Sequence, residues 1–106
     1  MDQRQNQVQQ LQQIVDDSEN MVFFGGAGVS TESGIPDFRS RGGLYNQKYD
    51  VPPETILSHR YFTAHPQQFY RFYREKMLCP KARPNAAHQK LAELERVGKL
   101  RLVITQ

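Results

Sequence analysis

The sequence predicts an α/β fold built on a parallel sheet, and three observations lead to that prediction. The order of elements is helix, strand, glycine-rich loop, several helices, strand. The two strand segments, residues 21–24 and 100–105, are rich in apolar and β-branched residues, as is typical of strands inside a parallel sheet. Two strands alone do not make a stable sheet. We therefore expect the sheet to be incomplete at the C-terminus of this chain.

Composition and charge exclude several classes of protein. The net charge is +3 and the basic residues are scattered, which predicts a solvated surface and no nucleic-acid partner. No stretch is long enough to span a membrane, and the Gln-rich N-terminus lacks the apolar segment of a signal peptide. The single cysteine, Cys79, allows neither an internal disulfide nor a four-cysteine zinc site. Together these features predict a cytoplasmic protein without membrane partners.

The first helix is predicted over residues 4–17. Val8, Leu11 and Val15 recur at helical spacing with Ile14 beside them, while glutamines cover the outer face. We expect this helix to pack its apolar stripe on a sheet. Met-Val-Phe-Phe at 21–24 then forms the first strand.

Prolines and glycines divide the middle of the chain. Residues 34–54 are predicted to be a long irregular segment, and loops of that length tend to be functional or disordered. Pro53 is expected to open a short helix through about Arg60, and Pro66 to open another. In the second of these, aromatic and apolar residues at helical spacing are expected to enter the core, namely Phe69, Phe72, Tyr73 and Met77.

The last helix and strand carry clear boundary signals. Asn85 is a good N-cap, because its side-chain oxygen can accept a backbone N–H of the first turn. Gly98 is expected to end the helix. Leu-Arg-Leu-Val-Ile-Thr at 100–105 then forms the second strand.

The run GGAGVSTESGIPDFRS, residues 25–40, follows the first strand. Gly26-Ala27-Gly28 would let backbone N–H groups approach a phosphate. The run contains no lysine, which excludes a Walker loop, and the third glycine of the dinucleotide fingerprint G-x-G-x-x-G is missing. The run therefore indicates a dinucleotide-like loop in a non-standard setting, and a purely structural glycine turn stays open.

The side chains that come next suit a nucleotide. Ser30 and Thr31 offer hydroxyls where a pyrophosphate would lie, and Arg39 offers a fixed charge for phosphate. Phe38 offers a flat face for an aromatic ring such as nicotinamide. Asp37 could orient a ribose hydroxyl or simply cap the turn. With Gly28, these residues are the predicted cofactor contacts.

Motifs at several places resemble those of the sirtuins, the NAD-dependent protein deacylases, in their bacterial form. They are Gly-Ala-Gly-Val-Ser at 26–30, Gly-Ile-Pro-Asp-Phe-Arg at 34–39, Gly-Gly-Leu-Tyr at 42–45 and Pro-Asn-Ala-Ala-His at 84–88. Val-Ile-Thr-Gln at 103–106 resembles the opening of the family's Thr-Gln-Asn-Ile-Asp motif. Gly25 is a small departure, since the family often has Thr there.

The resemblance implies a fold, a reaction and a set of contacts. Residues 1–106 would be the N-terminal part of the family's NAD-binding, Rossmann-like domain. The full-length enzyme would use NAD to remove acyl groups, such as acetyl, from lysines of protein substrates, giving nicotinamide and O-acyl-ADP-ribose. Ala27 and Thr31 would meet NAD, and Phe38 would cover the nicotinamide pocket. Arg39 would meet the phosphate and ribose region, and Gln106 the nicotinamide-side ribose.

Other parts of the family's machinery are expected beyond Gln106: the catalytic His, the zinc-binding cysteines and the strand that pairs with the acyl-lysine peptide. None of His59, His65 and His88 is expected to be the base, so this chain is predicted to hold no catalytic residue and no metal ligand. The isolated chain is therefore predicted to show no turnover. One alternative is a catalytically inactive fragment that binds NAD or phosphate. Another is an interaction role through unpaired strand edges.

Overall fold

The computed structural model describes residues 2–106, which divide into two compact units. One unit is the chain up to Gly25 together with Ala86–Gln106, and the other is Gly26–Asn85. The helices and strands, in chain order, are α1 Gln3–Asp17, β1 Met21–Gly25, α2 Pro53–Ile56, α3 His59–Ala64, α4 Pro66–Phe72, α5 Ala86–Arg96 and β2 Leu100–Thr105. Short 3₁₀ helices span Ala27–Ser33 and Leu44–Asn46, and a π-helical turn spans Tyr73–Met77.

The first unit is built on β1 and β2, which pair in parallel. The register runs from Met21 opposite Leu100 to Gly25 opposite Thr105, with one irregularity between Met21 and Val22. Helix α5 packs against β2. It begins directly after Asn85 and is followed by Gly98 in the left-handed region at φ 82°. The predicted strands, their parallel pairing and the bounds of this helix are confirmed.

Lys99 ties α1 to the start of β2 within this unit. Its Nζ donates to the carbonyl oxygens of Val15 at 3.1 Å, Asp16 at 2.8 Å and Ser18 at 3.0 Å. The last carbonyls of a helix have no partner within the helix, and a cation at that end also complements the helix dipole. The lysine therefore caps the C-terminus of α1.

The predicted packing of the α1 stripe on a sheet is wrong for this chain. Val8, Leu11 and Ile14 are 60%, 61% and 63% exposed, and Val15 is half-buried. The strands are exposed as well, with Phe24 at 68%. A two-stranded sheet offers too narrow a face to bury a helix and both of its own surfaces. The amphipathic pattern is present in α1, but most of its apolar face is left uncovered within these residues.

The second unit has a small core of its own. Leu44, Ile56 and Phe72 are buried, and α2 packs against α3, α4 and the 3₁₀ turn at Leu44–Asn46. The helix predicted from Pro53 to Arg60 is in fact two helices, because Ser58 interrupts it and caps the next one: its hydroxyl accepts the N–H of Tyr61 at 3.1 Å. Of the predicted core residues in and after α4, Phe72 is buried and the others are half-buried.

Across residues 2–106, none of the helices combines the length and apolar character needed to cross a membrane.

Candidate functional site

The residues that follow β1 form a 3₁₀ helix at Ala27–Ser33, where the sequence predicted a loop. The Val29 N–H donates to the Gly26 carbonyl at 3.2 Å, and the Thr31 hydroxyl donates to the Gly28 carbonyl at 2.9 Å. Hydroxyls that bond to nearby backbone favour such tight turns over an α-helix. Four predicted contacts, Ala27, Gly28, Ser30 and Thr31, therefore lie on one short segment.

The N-terminal end of this segment presents two backbone N–H groups. Because the first bond within the helix is made by Val29, the N–H groups of Ala27 and Gly28 have no partner inside the helix. Apart from its chain neighbours and the backbone of its own helix, no protein atom lies within 4 Å of a Cβ added to Gly28. A phosphate could approach the backbone closely at that point, so the local geometry fits the predicted role of the glycines.

The 3₁₀ helix ends at a glycine that the turn requires. Gly34 has φ 85° and its N–H donates to the Thr31 carbonyl at 3.0 Å. A residue with a Cβ would be strained there. The Ile35 N–H adds a bond of 3.3 Å to the Ser30 carbonyl. Gly34 thus turns the chain directly from the first motif into the second.

The last three residues of the second motif, Asp37 to Arg39, lie in a turn that Asp37 closes. Its Oδ1 accepts the Ser40 N–H at 3.2 Å and also the Ser40 hydroxyl. Two backbone bonds of 2.7 Å join the Leu44 N–H to the Asp37 carbonyl and the Tyr45 N–H to the Phe38 carbonyl. The carboxylate is therefore engaged in the turn, which is one of the two roles that the sequence left open.

Two residues that sequence reasoning did not single out stabilise the same turn. Gly43 is buried, and a Cβ added to it would lie 2.6 Å from Asp37 Oδ1. Asn46 donates from Nδ2 to the carbonyls of Arg39 at 2.9 Å and Ser40 at 2.5 Å. The Gly-Gly pair was a visible signal for a close approach, but the sequence does not say which of the two glycines makes it.

Tyr45 supports both of the side chains predicted to meet the cofactor. Its ring centroid is 5.4 Å from that of Phe38, and the Arg39 Cζ lies 5.8 Å from the same centroid. Phe38 keeps 37% of its surface exposed, and Arg39 is exposed. Each can therefore still contact a ligand while its position is restrained by Tyr45.

Gln106, the remaining predicted contact, belongs to the other unit. It follows β2, is exposed, and its N–H donates to the Gly25 carbonyl at 3.3 Å. Seven of the eight predicted contacts therefore lie in the unit Gly26–Asn85, and Gln106 lies in the unit that contains the sheet.

None of the three histidines belongs to either of the segments 27–33 and 37–39. His59 begins α3, and His88 is in the first turn of α5. His65 packs against Tyr61, with ring centroids 4.9 Å apart and the ring planes inclined by 42°. Among residues 2–106 no group of three or more His, Cys, Asp and Glu side chains is placed to hold a metal ion.

Comparison with known proteins places these motifs in context. Residues 26–106 match the model of the Sir2 family. A protein of Clostridium tetani named NAD-dependent protein deacetylase is 54% identical over 108 residues, and a protein of the same name from Clostridium acetobutylicum is 53% identical over 103 residues. The alignments cover 100% and 95% of this chain, but the chain spans only 42% of the length of each of these relatives.

Solved structures agree with the family match. One, from work on the mechanism and regulation of Sir2 enzymes, superposes with a TM-score of 0.82 at 42% identity, covering 95% of this chain and 39% of that chain. Another, a Sir2 variant with a deacetylated p53 peptide and 3′-O-acetyl ADP ribose, has a TM-score of 0.78 at 41% identity and covers 92% of this chain and 39% of that one. The Rossmann-like α/β fold class predicted from the sequence is confirmed.

Proposed function

This chain belongs to the Sir2 family, and we propose that the protein of which it forms this part is an NAD-dependent protein-lysine deacylase with acetyl-lysine proteins as substrates. The observation that carries the proposal is the presence of two motif segments in one unit: the 3₁₀ helix at Ala27–Ser33 and the turn that Asp37 closes. The relatives named as NAD-dependent protein deacetylases support it.

The residues present fit the pyrophosphate end of NAD. The N–H groups of Ala27 and Gly28 offer donors for phosphate oxygens, and the open space at Gly28 leaves room for them. The hydroxyls of Ser30 and Thr31 lie on the same segment. Since the Thr31 hydroxyl already donates to the Gly28 carbonyl, it would act on the pyrophosphate only through the segment that it holds, and it could accept a hydrogen bond from a ribose hydroxyl.

The turn from Asp37 to Arg39 would hold the other groups. Arg39 supplies a fixed positive charge for phosphate, and Phe38 an apolar face that keeps water from the nicotinamide end. Asp37 acts mainly by closing the turn that holds Phe38 and Arg39. Gln106 would contact the nicotinamide-side ribose, as the family resemblance implies. When bound, NAD would supply the ADP-ribose that accepts the acyl group, with nicotinamide as the leaving group.

The remaining parts of the proposal rest on the family. We propose that residues 1–106 are the N-terminal part of the NAD-binding domain, and that the base and a zinc module are supplied outside this chain. The single free cysteine, Cys79, could not build such a module here and is in keeping with the cytoplasm as the compartment. The alternative of an inactive binding fragment gains no support from the relatives, which are named as deacetylases.

The test is turnover by the whole protein with an acetyl-lysine peptide. We expect deacetylation and nicotinamide release in equal amounts, both requiring NAD. Deacetylation without NAD, or none with it in a folded protein, would refute the proposal. The same assay with the 106-residue chain tests the prediction that it is inactive, and calorimetric titration with NAD tests binding separately from turnover.

A further inference from the structure

The 3₁₀ helix at Ala27–Ser33 is anchored by a residue far away in the sequence. The Nδ2 of Asn85 donates to the Val29 carbonyl at 2.8 Å and to the Ser33 Oγ at 3.0 Å. Asn85 is half-buried and belongs to the same unit as this helix. The two bonds span 56 and 52 residues of chain. Other bonds of this segment, such as those from Val29 to Gly26 and from Thr31 to Gly28, are local.

We propose that Asn85 is a positioning residue for the dinucleotide, which sets the place and rotation of the 3₁₀ helix before the ligand arrives. A side-chain amide has two N–H donors at a fixed angle. Here they donate to the Val29 carbonyl and to the Ser33 hydroxyl oxygen. These two acceptors lie on either side of residues 30 and 31. Two such points, one near each end of the segment, restrain both its position and its turn about its own axis.

This restraint matters because a short 3₁₀ helix is a weak element by itself. Its hydrogen-bond geometry is poorer than that of an α-helix. Without an anchor, a ligand would have to order the segment on binding, and that ordering costs affinity. The anchor removes this cost in advance. The inference rests on the proposed function for its ligand, although the anchoring itself is a property of the unliganded protein.

Asn85 can act in two ways, as the N-cap of α5 or as the anchor of the 3₁₀ helix, and the sequence does not distinguish them. As an N-cap before α5, it would act through its oxygen. As an anchor, it acts through its nitrogen. Asp is as good an N-cap as Asn, and Ser is nearly so, but a carboxylate has no N–H to donate and a serine hydroxyl is too short to span both acceptors. Asn85→Asp and Asn85→Ser therefore keep the cap and remove the anchor.

The test measures the two variants in the whole protein, with Asn20→Asp as the control for the added charge. Asn20 is exposed between α1 and β1, outside the candidate site. The first readout is hydrogen exchange of the amides of residues 27–34 without NAD. We expect both variants at residue 85 to exchange faster there, while the control and the amides of α5 stay as in the wild type.

The second readout is kinetic. Loss of one or two neutral hydrogen bonds predicts a KM for NAD raised about five- to thirtyfold, with kcat at saturating NAD within about twofold of wild type. A merely structural role would instead lower the folded fraction and hence the apparent kcat, leaving KM unchanged. Serine at 85 carries no charge, so a KM effect confined to the aspartate variant would mean charge repulsion and would overturn the proposal.

Unchanged exchange of residues 27–34 in both variants would also overturn it. If the wild type neither binds nor uses NAD, the proposed function fails, and the exchange measurement still decides whether Asn85 anchors the segment. Should Asn85→Asp fail to fold, Asn85→Ser carries both readouts, since it adds neither charge nor bulk.

Discussion

The Oδ1 of Asp37 accepts two hydrogen bonds from Ser40, one from the backbone N–H at 3.2 Å and one from the hydroxyl. An amide oxygen could accept the same bonds, but a methyl group could not. We therefore expect Asp37→Asn to bind NAD within about twofold of wild type, and Asp37→Ala to bind about tenfold more weakly, the loss expected for one or two hydrogen bonds. Calorimetric titration with NAD measures both affinities.

Equal losses in the two Asp37 variants would contradict this role. They would mean that the negative charge acts on the ligand, for example on a ribose hydroxyl, and that closing the turn is secondary. Ser40→Ala is the companion variant: it removes the hydroxyl and keeps the N–H bond, so a smaller loss than in Asp37→Ala is expected.

Gly43 and Gly42 offer a matched pair for testing how tightly this turn is packed. A Cβ on Gly43 would lie 2.6 Å from Asp37 Oδ1 and 2.8 Å from the Asp37 carbonyl oxygen, whereas a Cβ on Gly42 would meet nothing within 4 Å. Overpacking of this kind costs about 1–3 kcal/mol. We expect Gly43→Ala to speed hydrogen exchange at Leu44 and Tyr45, and Gly42→Ala to leave it unchanged. Equal exchange rates at these amides in the two variants would show that the turn shifts to accommodate the added Cβ.

Gly28→Ala should separate folding from binding. Gly28 has no positive φ, and its Cβ position is open, so an alanine is compatible with the 3₁₀ helix. We expect an unchanged or slightly raised Tm, because glycine is a poor helix residue. The added methyl would occupy the space proposed for phosphate, so NAD affinity should fall at least tenfold. Affinity like that of the wild type would place the phosphate elsewhere.

Lys99 is predicted to stabilise α1 through the three carbonyls that it caps. Hydrogen bonds from a charged donor contribute more than neutral ones. Lys99→Met keeps the aliphatic chain and removes the donors, and we expect a loss of about 2 kcal/mol in the free energy of unfolding of its unit. Hydrogen exchange at the C-terminal end of α1 reports it directly.

Lys90→Met is the control for the loss of a lysine. Lys90 pairs with Glu93 at 3.0 Å on an exposed face of α5, and exposed pairs contribute little. A similar loss in both variants would mean that the effect comes from net charge rather than from capping.

Tyr49 gives the chain a pH dependence at the alkaline end. Burial raises the pKa of its phenol, and the ring lies edge-on to Phe72 with centroids 5.0 Å apart. The neutral form is therefore favoured by folding. Its contribution to stability is complete below the unfolded pKa of about 10 and is lost as pH rises through the folded pKa. Between pH 9 and 11, urea unfolding should show a steeper loss in the wild type than in Tyr49→Phe. Parallel losses would contradict the assignment.

Much of the fold followed from local signals. The two strand segments, the helix after Asn85 and the helices opened by Pro53 and Pro66 could be predicted because their causes act over a few residues: side-chain periodicity, a fixed proline φ, and a glycine that takes the left-handed conformation, as at Gly98. The parallel pairing of the strands followed from the order of elements along the chain. The break at Ser58 was missed because the apolar spacing continues across it, although the cap itself is also local.

The candidate site, like the fold, was predictable in part from the sequence and in part only from the tertiary structure. The sequence by itself determined which residue types are available for a dinucleotide and where they occur, since motif and spacing are properties of the chain. Only the tertiary structure decided that Asn85 holds the segment from Ala27 to Ser33 and that Gly43 is the glycine packed on Asp37. It alone showed that the stripe of α1 stays uncovered here. These outcomes depend on which distant surfaces meet, and the free energy of such contacts is set by the whole fold rather than by neighbours in sequence.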